Sequence, residues 1–290
     1  MPELPEVEII KIGLEKRIVG LKLTKIQINS PKSFQNEKGQ PFDYTQDLQG
    51  RKVLKVWRRA KILGIDITGN LTLLFHLKMS GQLVFNGNSK FIGGHPTEDM
   101  TGDMPNKHTR VIFSFSDGSH LYFNDQRKFG WIKIVNRKSL IVNRLFEKLG
   151  PEPLEKSFTW QILKSNLLNH KSQSVKAAIM DQSVVSGIGN IYANEACFDT
   201  GINPATLVSQ LSDEQFKKLY YGIVKSLKDG IKFGGSTRAN FVDSEGQKGY
   251  YLDYAYCYGR NRQKCKMCGT QIKKISLGGR GTYFCPNCQR

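Results

Sequence analysis

The sequence lacks the features that mark membrane, secreted and repetitive proteins. No stretch approaches the roughly 18 uninterrupted apolar residues that a membrane-spanning helix needs. No basic segment leads into a long apolar run near the first residue, so the sequence predicts no secretory signal. There is no internal repeat and no low-complexity tract. These absences favour a globular protein of the cytoplasm.

Cysteine is also scarce. The chain has 6 cysteines in 290 residues; four of them form two Cys-x-x-Cys pairs near the carboxyl end, and Cys197 and Cys257 stand alone. A disulfide framework needs an oxidising compartment and is usual in much smaller chains. The cysteine pattern therefore favours a reducing compartment.

Acidic residues are few relative to basic ones. The sequence has 43 Lys and Arg against 25 Asp and Glu, which gives a formal net charge of +18. Such a charge can be a solvated basic surface. It can also mark a polyanionic partner, because cationic side chains displace the counterions condensed on a phosphate backbone. We favour nucleic acid as the partner. The length of the chain is enough for roughly two domains.

The first half of the sequence predicts one helix followed by antiparallel strands. In LPEVEIIKIGLEKRIVG, apolar residues recur at helical spacing from Val7 to Ile18, and Gly20 is a helix stop. Later segments, such as KVLKVWRRAKILGIDI and LTLLFHLKMSGQLVF, are rich in β-branched and aromatic residues. No helical pattern separates these segments, so a sandwich or barrel is favoured over a parallel sheet. We expect a long polar loop over 86–107.

The second half of the sequence has a mainly helical pattern instead of a β-strand pattern. Residues 136–156 predict a short helix and a connector, and the pattern is then helical to about residue 234. The last 35 residues are a basic module that contains the paired cysteines. The fold class is therefore α+β with several domains. We assign 1–135 to a β-sheet domain, 136–156 to a linker, 157–255 to a helical domain and 256–290 to a finger.

The paired cysteines have the spacing of a metal site. The pairs CKMC and CPNC are separated by 16 residues, which lets two knuckles bring four thiolates into a tetrahedron around one ion. Sulfur ligands in this arrangement favour zinc, with iron as an alternative. Unliganded thiols are the other interpretation. We predict one structural Zn²⁺, held by Cys265, Cys268, Cys285 and Cys288.

Two other segments of the second half fit phosphate binding. GTQIKKISLGGRGTYF, between the cysteine pairs, predicts a basic β-hairpin that carries Lys273, Lys274 and Arg280. In SGIGNIYANEACF, the glycines let the backbone approach a phosphate and Asn190 can add a donor. The alternatives are a purely structural zinc ribbon for the first segment and an ordinary helix–loop–helix connector for the second.

Seven motifs in a fixed order resemble those of one enzyme family. They are PELPEVE at the start, RRAK at 58–61, HLKMSG at 76–81, DQRKFG at 125–130, SGIGNIYANEA at 186–196, GGST at 234–237 and GRGTYFCPNCQ at 279–289. Over essentially its whole length the chain resembles the formamidopyrimidine-DNA glycosylases, bacterial enzymes that excise oxidised purines. The resemblance implies an antiparallel β-sandwich with flanking helices, then a helix-two-turn-helix DNA-binding domain, then a zinc-finger β-hairpin.

The resemblance gives the first residues a catalytic role. In the family the initiator methionine is removed, so Pro2 would become a terminal secondary amine with a pKa near ~8. Attack of this amine on the sugar C1′ gives an iminium, a Schiff-base intermediate that makes the C2′ proton acidic. Glu3 would be the general acid that protonates the sugar ring oxygen, and Glu6 would support the amine. Without the resemblance, Pro2 is a stiff lead-in and the carboxylates stabilise a helix start.

Two basic residues match the elimination chemistry of the family. Lys61 resembles the lysine that contacts the phosphate at the lesion and assists β-elimination. Arg280 matches the arginine associated with δ-elimination and phosphate contact. Lys61 can also be one more basic strand residue, since Arg58 and Arg59 precede it. We expect phosphate binding from Lys61 and Arg280 more than a specific proton transfer.

Three residues match the set that fills the hole left in the duplex when a base is flipped out. Met79 and Phe129 would enter the base stack, and Arg127 would pair with the orphaned cytosine. From periodicity alone, Met79 and Phe129 would be ordinary core residues. The resemblance also places phosphate contacts at His108, Lys171, Lys176 and Asn190.

The sequence departs from the family pattern at several points. Gln126 stands where the family usually has proline, and Lys128 where it commonly has arginine. The segment Arg238–Phe241 differs from the aliphatic-then-basic order that is usual after GGST. Since this loop covers the flipped base in the family, it bears on lesion preference. The 86–107 loop is longer than usual.

We therefore expect a monomeric bifunctional DNA glycosylase and AP lyase of base excision repair. Its substrates would be double-stranded DNA with 8-oxoguanine opposite cytosine or with formamidopyrimidines, cleaved by β,δ-elimination. One alternative is the sister endonuclease VIII-type enzyme for oxidised pyrimidines, against which PELPEVE and the void-filling set argue. The other is a zinc-finger DNA-binding protein without chemistry, against which Pro2, Glu3 and Lys61 together argue.

Overall fold

The computed structural model describes residues 1–42, 45–94, 102–138, 144–236 and 250–290. This part of the chain forms two compact units, Met1–Glu147 and Lys148–Ser236 with Tyr250–Arg290. The boundary at Glu147 falls within the segment that the sequence assigns to a linker. Among the described residues, no helix is both long enough and apolar enough to cross a membrane.

The first unit is a helix followed by a β-sandwich. Helix α1 spans Leu4–Ile18, and a short helix α2, Arg144–Glu147, ends the unit. The strands are β1 (Leu23–Ile28), β2 (Phe34–Gln35), β3 (Val53–Arg59), β4 (Ile62–Ile67), β5 (Leu71–His76), β6 (Gly81–Asn86), β7 (Lys90–Gly94), β8 (Thr109–Phe115), β9 (His120–Asp125) and β10 (Trp131–Asn136). They form two five-stranded sheets, β1-β8-β9-β6-β7 and β2-β10-β5-β4-β3. Among the strands of the described residues only β2 and β10 pair in parallel, so the predicted antiparallel sandwich is confirmed.

The two sheets enclose an aromatic core. The ring of Phe113 on β8 lies 6.2 Å from that of Phe34 on β2 and 5.8 Å from that of Phe75 on β5. The buried face of α1 joins the same core, and the absence of a side chain at Gly13 is required there: a Cβ would lie 2.4 Å from the ring of Phe91. This close packing fixes the position of α1, and with it the residues at its amino end.

Strand β7 corrects one sequence-based expectation. The segment 86–107 was expected to be a polar loop, but Lys90–Gly94 pairs with β6. Phe91 and Ile92 are buried on opposite faces of this strand. An apolar pair flanked by serine, lysine and glycine is too short to show the alternation from which strands are recognised. Residues 95–101 of the expected loop lie outside the described residues.

The second unit is helical and ends in a β-hairpin. Its elements are α3 (Trp160–Leu167), α4 (Val175–Ile179), α5 (Asn190–Asp199), α6 (Asp213–Lys232), α7 (Tyr251–Tyr254), β11 (Lys273–Leu277) and β12 (Arg280–Phe284). Ser212 begins α6, since its hydroxyl accepts a hydrogen bond from the Gln215 N–H at 3.3 Å. The turn of the hairpin uses Gly278 and Gly279, both with positive φ, as a two-residue hairpin turn requires. The predicted basic hairpin is therefore confirmed.

Candidate active site and metal centre

The first residues of the chain lie at the amino end of α1. Pro2 is buried, and Glu3 and Glu6 are each only 3% exposed. The Glu6 carboxylate accepts a hydrogen bond from the Glu3 backbone N–H at 2.8 Å. The positive end of the helix dipole also favours carboxylates here. Pro2 and Glu3 thus lie directly before the first residue of α1. The Glu6 carboxylate stabilises this segment by binding the Glu3 backbone N–H.

Lys61 lies in the two-residue turn between β3 and β4 and is mostly buried. Arg58, just before the turn, donates from Nε to the Glu8 carboxylate at 2.8 Å and from Nη1 to the Ala60 carbonyl at 3.1 Å. Burial raises the pKa of Glu8, but the hydrogen bonds and charges of Arg58 and Lys11 outweigh it, so the pKa lies below its usual value. This ion pair ties the turn that carries Lys61 to α1.

Met79, Arg127 and Phe129 lie on two turns of the sandwich. Met79 is in the turn between β5 and β6, and the other two are in the turn between β9 and β10. Met79 is 37% exposed and Phe129 is 56% exposed, so the interpretation of these residues as core is wrong. The Arg127 guanidinium lies 4.9 Å from the centre of the Phe129 ring, a cation–π distance. The two turns thus present apolar and cationic groups to the outside of the sandwich.

His76 is a further residue beside the Met79 turn. It ends β5, its Nδ1 accepts a hydrogen bond from the Lys78 N–H at 3.1 Å, and its ring lies 5.6 Å from that of Trp131. Burial, followed by the charges of Lys78 and Lys61, lowers the pKa of His76 to about 3. Because Nδ1 is an acceptor, the proton of this neutral imidazole is on Nε2. His76 therefore supports the Met79 turn as a neutral group.

This histidine should make the protein sensitive to mild acid. The unfolded chain takes up a proton near pH 6.5, whereas folded His76 does so only near pH 3. The unfolded state therefore binds more protons between these values, and the free energy of unfolding falls as the pH drops below 6.5. At pH 5 the loss is about 2 kcal/mol. Urea unfolding of the wild type and of His76→Gln should show a difference in stability that shrinks from pH 7 to pH 5; parallel pH profiles would contradict the assignment.

The expected phosphate-binding residues differ in accessibility. Lys171 is exposed and Asn190 is partly exposed, but His108 is only 9% exposed and Lys176 is 0% exposed. The Lys176 ammonium donates to the side-chain oxygen of Asn190, whose Nδ2 in turn donates to the Gly281 carbonyl of β12 at 3.1 Å. Lys176 thus contacts Asn190, and the phosphate contact that the resemblance implies for it stays a prediction.

The four paired cysteines converge in the finger. The sulfur atoms of Cys265, Cys268, Cys285 and Cys288 all lie within 4.8 Å of one another. The distances are 4.0 Å between Cys265 and Cys288 and 3.5 Å between Cys268 and Cys285. Tetrahedral Zn–S bonds of about 2.3 Å place sulfur atoms about 3.8 Å apart, so the cluster fits one structural Zn²⁺. Cys197 and Cys257 are buried with raised pKa values, chiefly because of burial, and are not part of it.

Helix α5 holds the finger through two buried side chains. Asn194 accepts a hydrogen bond from the Tyr283 N–H of β12 at 2.6 Å. The Glu195 carboxylate accepts from the backbone N–H groups of Tyr256, Cys257 and Tyr258 at 2.7, 3.0 and 2.8 Å. Arg280, next to the hairpin turn, stays exposed. The helix that begins with Asn190 therefore also fixes the direction of the hairpin that carries Arg280.

Several residues of these sites were not found from the sequence. Glu8, His76, Asn194 and Glu195 were missed, although the last two lie within the motif SGIGNIYANEA and are polar residues on a buried helix, which is a usable signal. The atypical segment Arg238–Phe241, which bears on lesion preference, lies outside the described residues.

Comparison with protein families covers most of the chain. The model described as the formamidopyrimidine-DNA glycosylase N-terminal domain matches residues 1–132. The formamidopyrimidine-DNA glycosylase H2TH domain matches residues 149–242, and the zinc finger found in FPG and IleRS matches residues 262–290. These three matches follow the order of sandwich, helices and finger in the structure.

Relatives of known name and known structure agree with these matches. The formamidopyrimidine-DNA glycosylase of Listeria monocytogenes is 37% identical, with 100% of both chains covered. That of Bacillus subtilis is 35% identical over 100% of this chain and 99% of the relative. A Lactococcus lactis FPG mutant in complex with a Fapy-dG containing DNA has a TM-score of 0.86 at 31% identity, with 100% of both chains covered. A complex of Lactococcus lactis Fpg with DNA that contains an abasic site gives 0.86 at 30%, with 99% of both covered. The chain therefore belongs to the formamidopyrimidine-DNA glycosylase family.

Proposed function

We propose that the protein is a bifunctional DNA glycosylase and AP lyase of base excision repair, which excises 8-oxoguanine and formamidopyrimidines from duplex DNA. The solved relatives bound to Fapy-dG DNA and to abasic DNA support this substrate class. The net charge of +18 supports a duplex partner. The enzyme would act on the DNA of the bacterial cytoplasm.

The exposure of the void-filling residues is the observation that carries the proposal. Met79 and Phe129 lie in turns, and both are large apolar side chains that leave a substantial part of their surface exposed. When a base is extruded, however, a gap opens in the stack and apolar side chains stabilise it. Met79 and Phe129 are exposed beside the Arg127 guanidinium, which can donate to the base left without a partner. This arrangement of exposed apolar groups beside a cation suits base flipping.

The buried amino end of α1 supplies the proposed chemistry. Once Met1 is removed, Pro2 carries a secondary amine that attacks C1′ of the sugar, and the base leaves. Glu3 protonates the ring oxygen as the general acid. Opening of the C1′–O4′ bond leaves an iminium that makes the C2′ proton acidic. Loss of that proton, with Lys61 assisting, breaks the C3′–O bond and expels the phosphate, so β-elimination cleaves the strand. Arg280 contributes phosphate contact and the second elimination.

In this proposal the second unit binds the phosphate backbone of the duplex. Lys171 and Arg280 are exposed cations that contact phosphates directly. Lys176 acts through Asn190. Its buried ammonium donates to Asn190 Oδ1, and Asn190 Nδ2 donates to the Gly281 carbonyl of the hairpin, so Lys176 fixes the orientation of the Asn190 amide. The zinc ion has a structural role, because four thiolates leave no open coordination position.

One experiment tests the activity and its alternatives together. Duplexes with 8-oxoguanine opposite cytosine, with an oxidised pyrimidine, and without damage are compared under single-turnover conditions, each with and without borohydride. We expect excision and covalent trapping on the 8-oxoguanine duplex. Preference for the oxidised pyrimidine would assign the endonuclease VIII-type activity instead. Binding without excision on any duplex would leave a DNA-binding protein only.

Removal of the Met79 side chain should impair base flipping selectively. Met79→Ala should slow excision of 8-oxoguanine about tenfold or more, while cleavage at a ready-made abasic site, which needs little base extrusion, stays within about threefold. Lys171→Ala is the matched contrast: it removes one phosphate contact, so it should weaken binding to all duplexes and reduce the salt slope by about 1. Equal losses on both substrates in Met79→Ala would contradict the flipping role.

A further inference from the structure

The buried carboxylate of Asp125 links the two turns that carry the void-filling residues. Asp125 ends β9 and is fully buried. Its Oδ1 accepts the hydroxyl of Ser80 at 2.5 Å and the Arg127 N–H at 3.2 Å, and its Oδ2 accepts the Gly130 N–H at 2.6 Å. The Ser80 hydroxyl oxygen also accepts the Arg127 N–H, at 3.0 Å. Ser80 belongs to the turn of Met79, whereas the two N–H groups belong to the turn of Arg127 and Phe129.

Both turns adopt backbone conformations that need such support. Lys78 has φ 50° and Lys128 has φ 58°, the left-handed region that is unfavourable for residues with a Cβ. Each of these lysines lies beside a void-filling residue. A turn held in this region persists only where its surroundings determine it. Here the N–H groups on both sides of Lys128 are bound by one carboxylate.

Gly130 has no side chain, and this allows its N–H to approach the Asp125 carboxylate closely. A Cβ at this position would lie 3.0 Å from Asp125 Oδ2 and 2.8 Å from the ring of Phe123. The absence of a side chain therefore allows the short bond between the Gly130 N–H and the carboxylate. The final glycine of DQRKFG and its first aspartate act as a pair across the turn.

We propose that Asp125, together with the hydroxyl of Ser80, is a positioning residue of the void-filling set: it locks the Met79 turn to the Arg127–Phe129 turn, so that the three side chains meet the duplex already in register. This inference rests on the proposed function. A pre-ordered set loses less conformational entropy on insertion than two independent turns. Asp125 itself touches no DNA, because its carboxylate is fully buried behind the turns.

The test separates positioning from plain structural support. Ser80→Ala, Ser80→Thr and Asp125→Asn are compared with Thr109→Val, which removes a buried hydroxyl bonded to Asn124 in the same sheet and outside the two turns. Each variant is assayed for excision of 8-oxoguanine, for cleavage at an abasic site, and for unfolding by urea. A fluorescent adenine analogue beside the lesion reports unstacking directly.

Positioning predicts a specific pattern. Ser80→Ala and Asp125→Asn should slow excision and unstacking about tenfold, as expected for one or two lost hydrogen bonds, with abasic-site cleavage changed by about threefold at most. Ser80→Thr, which keeps the hydroxyl, should recover most of the rate. Thr109→Val should lose stability without this selectivity.

Three outcomes decide against parts of this picture. If Ser80→Ala and Asp125→Asn reduce both reactions equally, or match Thr109→Val at equal stability, Asp125 only supports the fold. If Met79→Ala is selective and Asp125→Asn is not, the void-filling set stands and its positioning by Asp125 falls. If Met79→Ala is not selective either, the base-flipping part of the proposed function fails first.

Discussion

Retention of Met1 should abolish both base excision and covalent trapping. The proposed nucleophile is the amine of Pro2, and an acylated proline nitrogen is an amide without a free electron pair for attack. Since an enzyme that loses its nucleophile typically loses on the order of 10³-fold or more in rate, we expect activity below detection. Binding to lesion DNA should largely survive, because the basic side chains and the finger are untouched.

The measurement compares one preparation before and after processing. A protein that retains Met1 is assayed on 8-oxoguanine duplex with borohydride, then treated with methionine aminopeptidase and assayed again. Activity and the trapped adduct should return together, and mass spectrometry should place the adduct on the peptide that begins with Pro2. Normal cleavage by the Met1 form would overturn the nucleophile assignment.

Much of the fold could be read from local pattern. The helix up to Ile18 and the strands of the sandwich both depend on spacing within a few residues. The zinc site is equally local, because each Cys-x-x-Cys pair forms one knuckle and only the meeting of the two is long-range. Strand β7 was missed because its buried residues, Phe91 and Ile92, form too short a pattern.

The sites were harder to predict, for a physical reason. Periodicity tells that Met79 and Phe129 are apolar but not which way a turn directs them, and only the resemblance indicated exposure. For Lys176 the resemblance implies a phosphate contact, and only the structure shows that its ammonium donates to Asn190. The bond between Ser80 and Asp125 joins residues 45 positions apart, and no local pattern reports such a contact.

Loss of the zinc site should weaken the binding of the finger to DNA. The core of this module is small: its buried cluster comprises Phe198 of α5 with Cys257, Cys265, Ile272 and Cys285, and Tyr256, Tyr283 and Cys288 pack against it partly buried. Three of these eight residues are the proposed zinc ligands Cys265, Cys285 and Cys288. A module with so little apolar burial depends on its metal for folding. Cys265→Ser should therefore lose the zinc and disorder the hairpin that presents Arg280.

The expected result is a protein with zinc well below one per chain and DNA affinity reduced by about ten- to a hundredfold, the cost of one or two charge-assisted contacts. The β-sandwich should stay folded, because its core contains none of these cysteines. Cys197→Ala is the matched control, since Cys197 is buried outside the cluster and should keep one zinc per chain. Metal analysis, circular dichroism and binding to an abasic duplex measure zinc content, folding and DNA affinity on the same samples.

Stoichiometric zinc and unchanged affinity in Cys265→Ser would mean that three thiolates suffice to hold the finger. Loss of zinc with unchanged affinity would separate the metal from DNA binding altogether, and Arg280 would then have to be held by the α5 contacts of Asn194 and Glu195 alone.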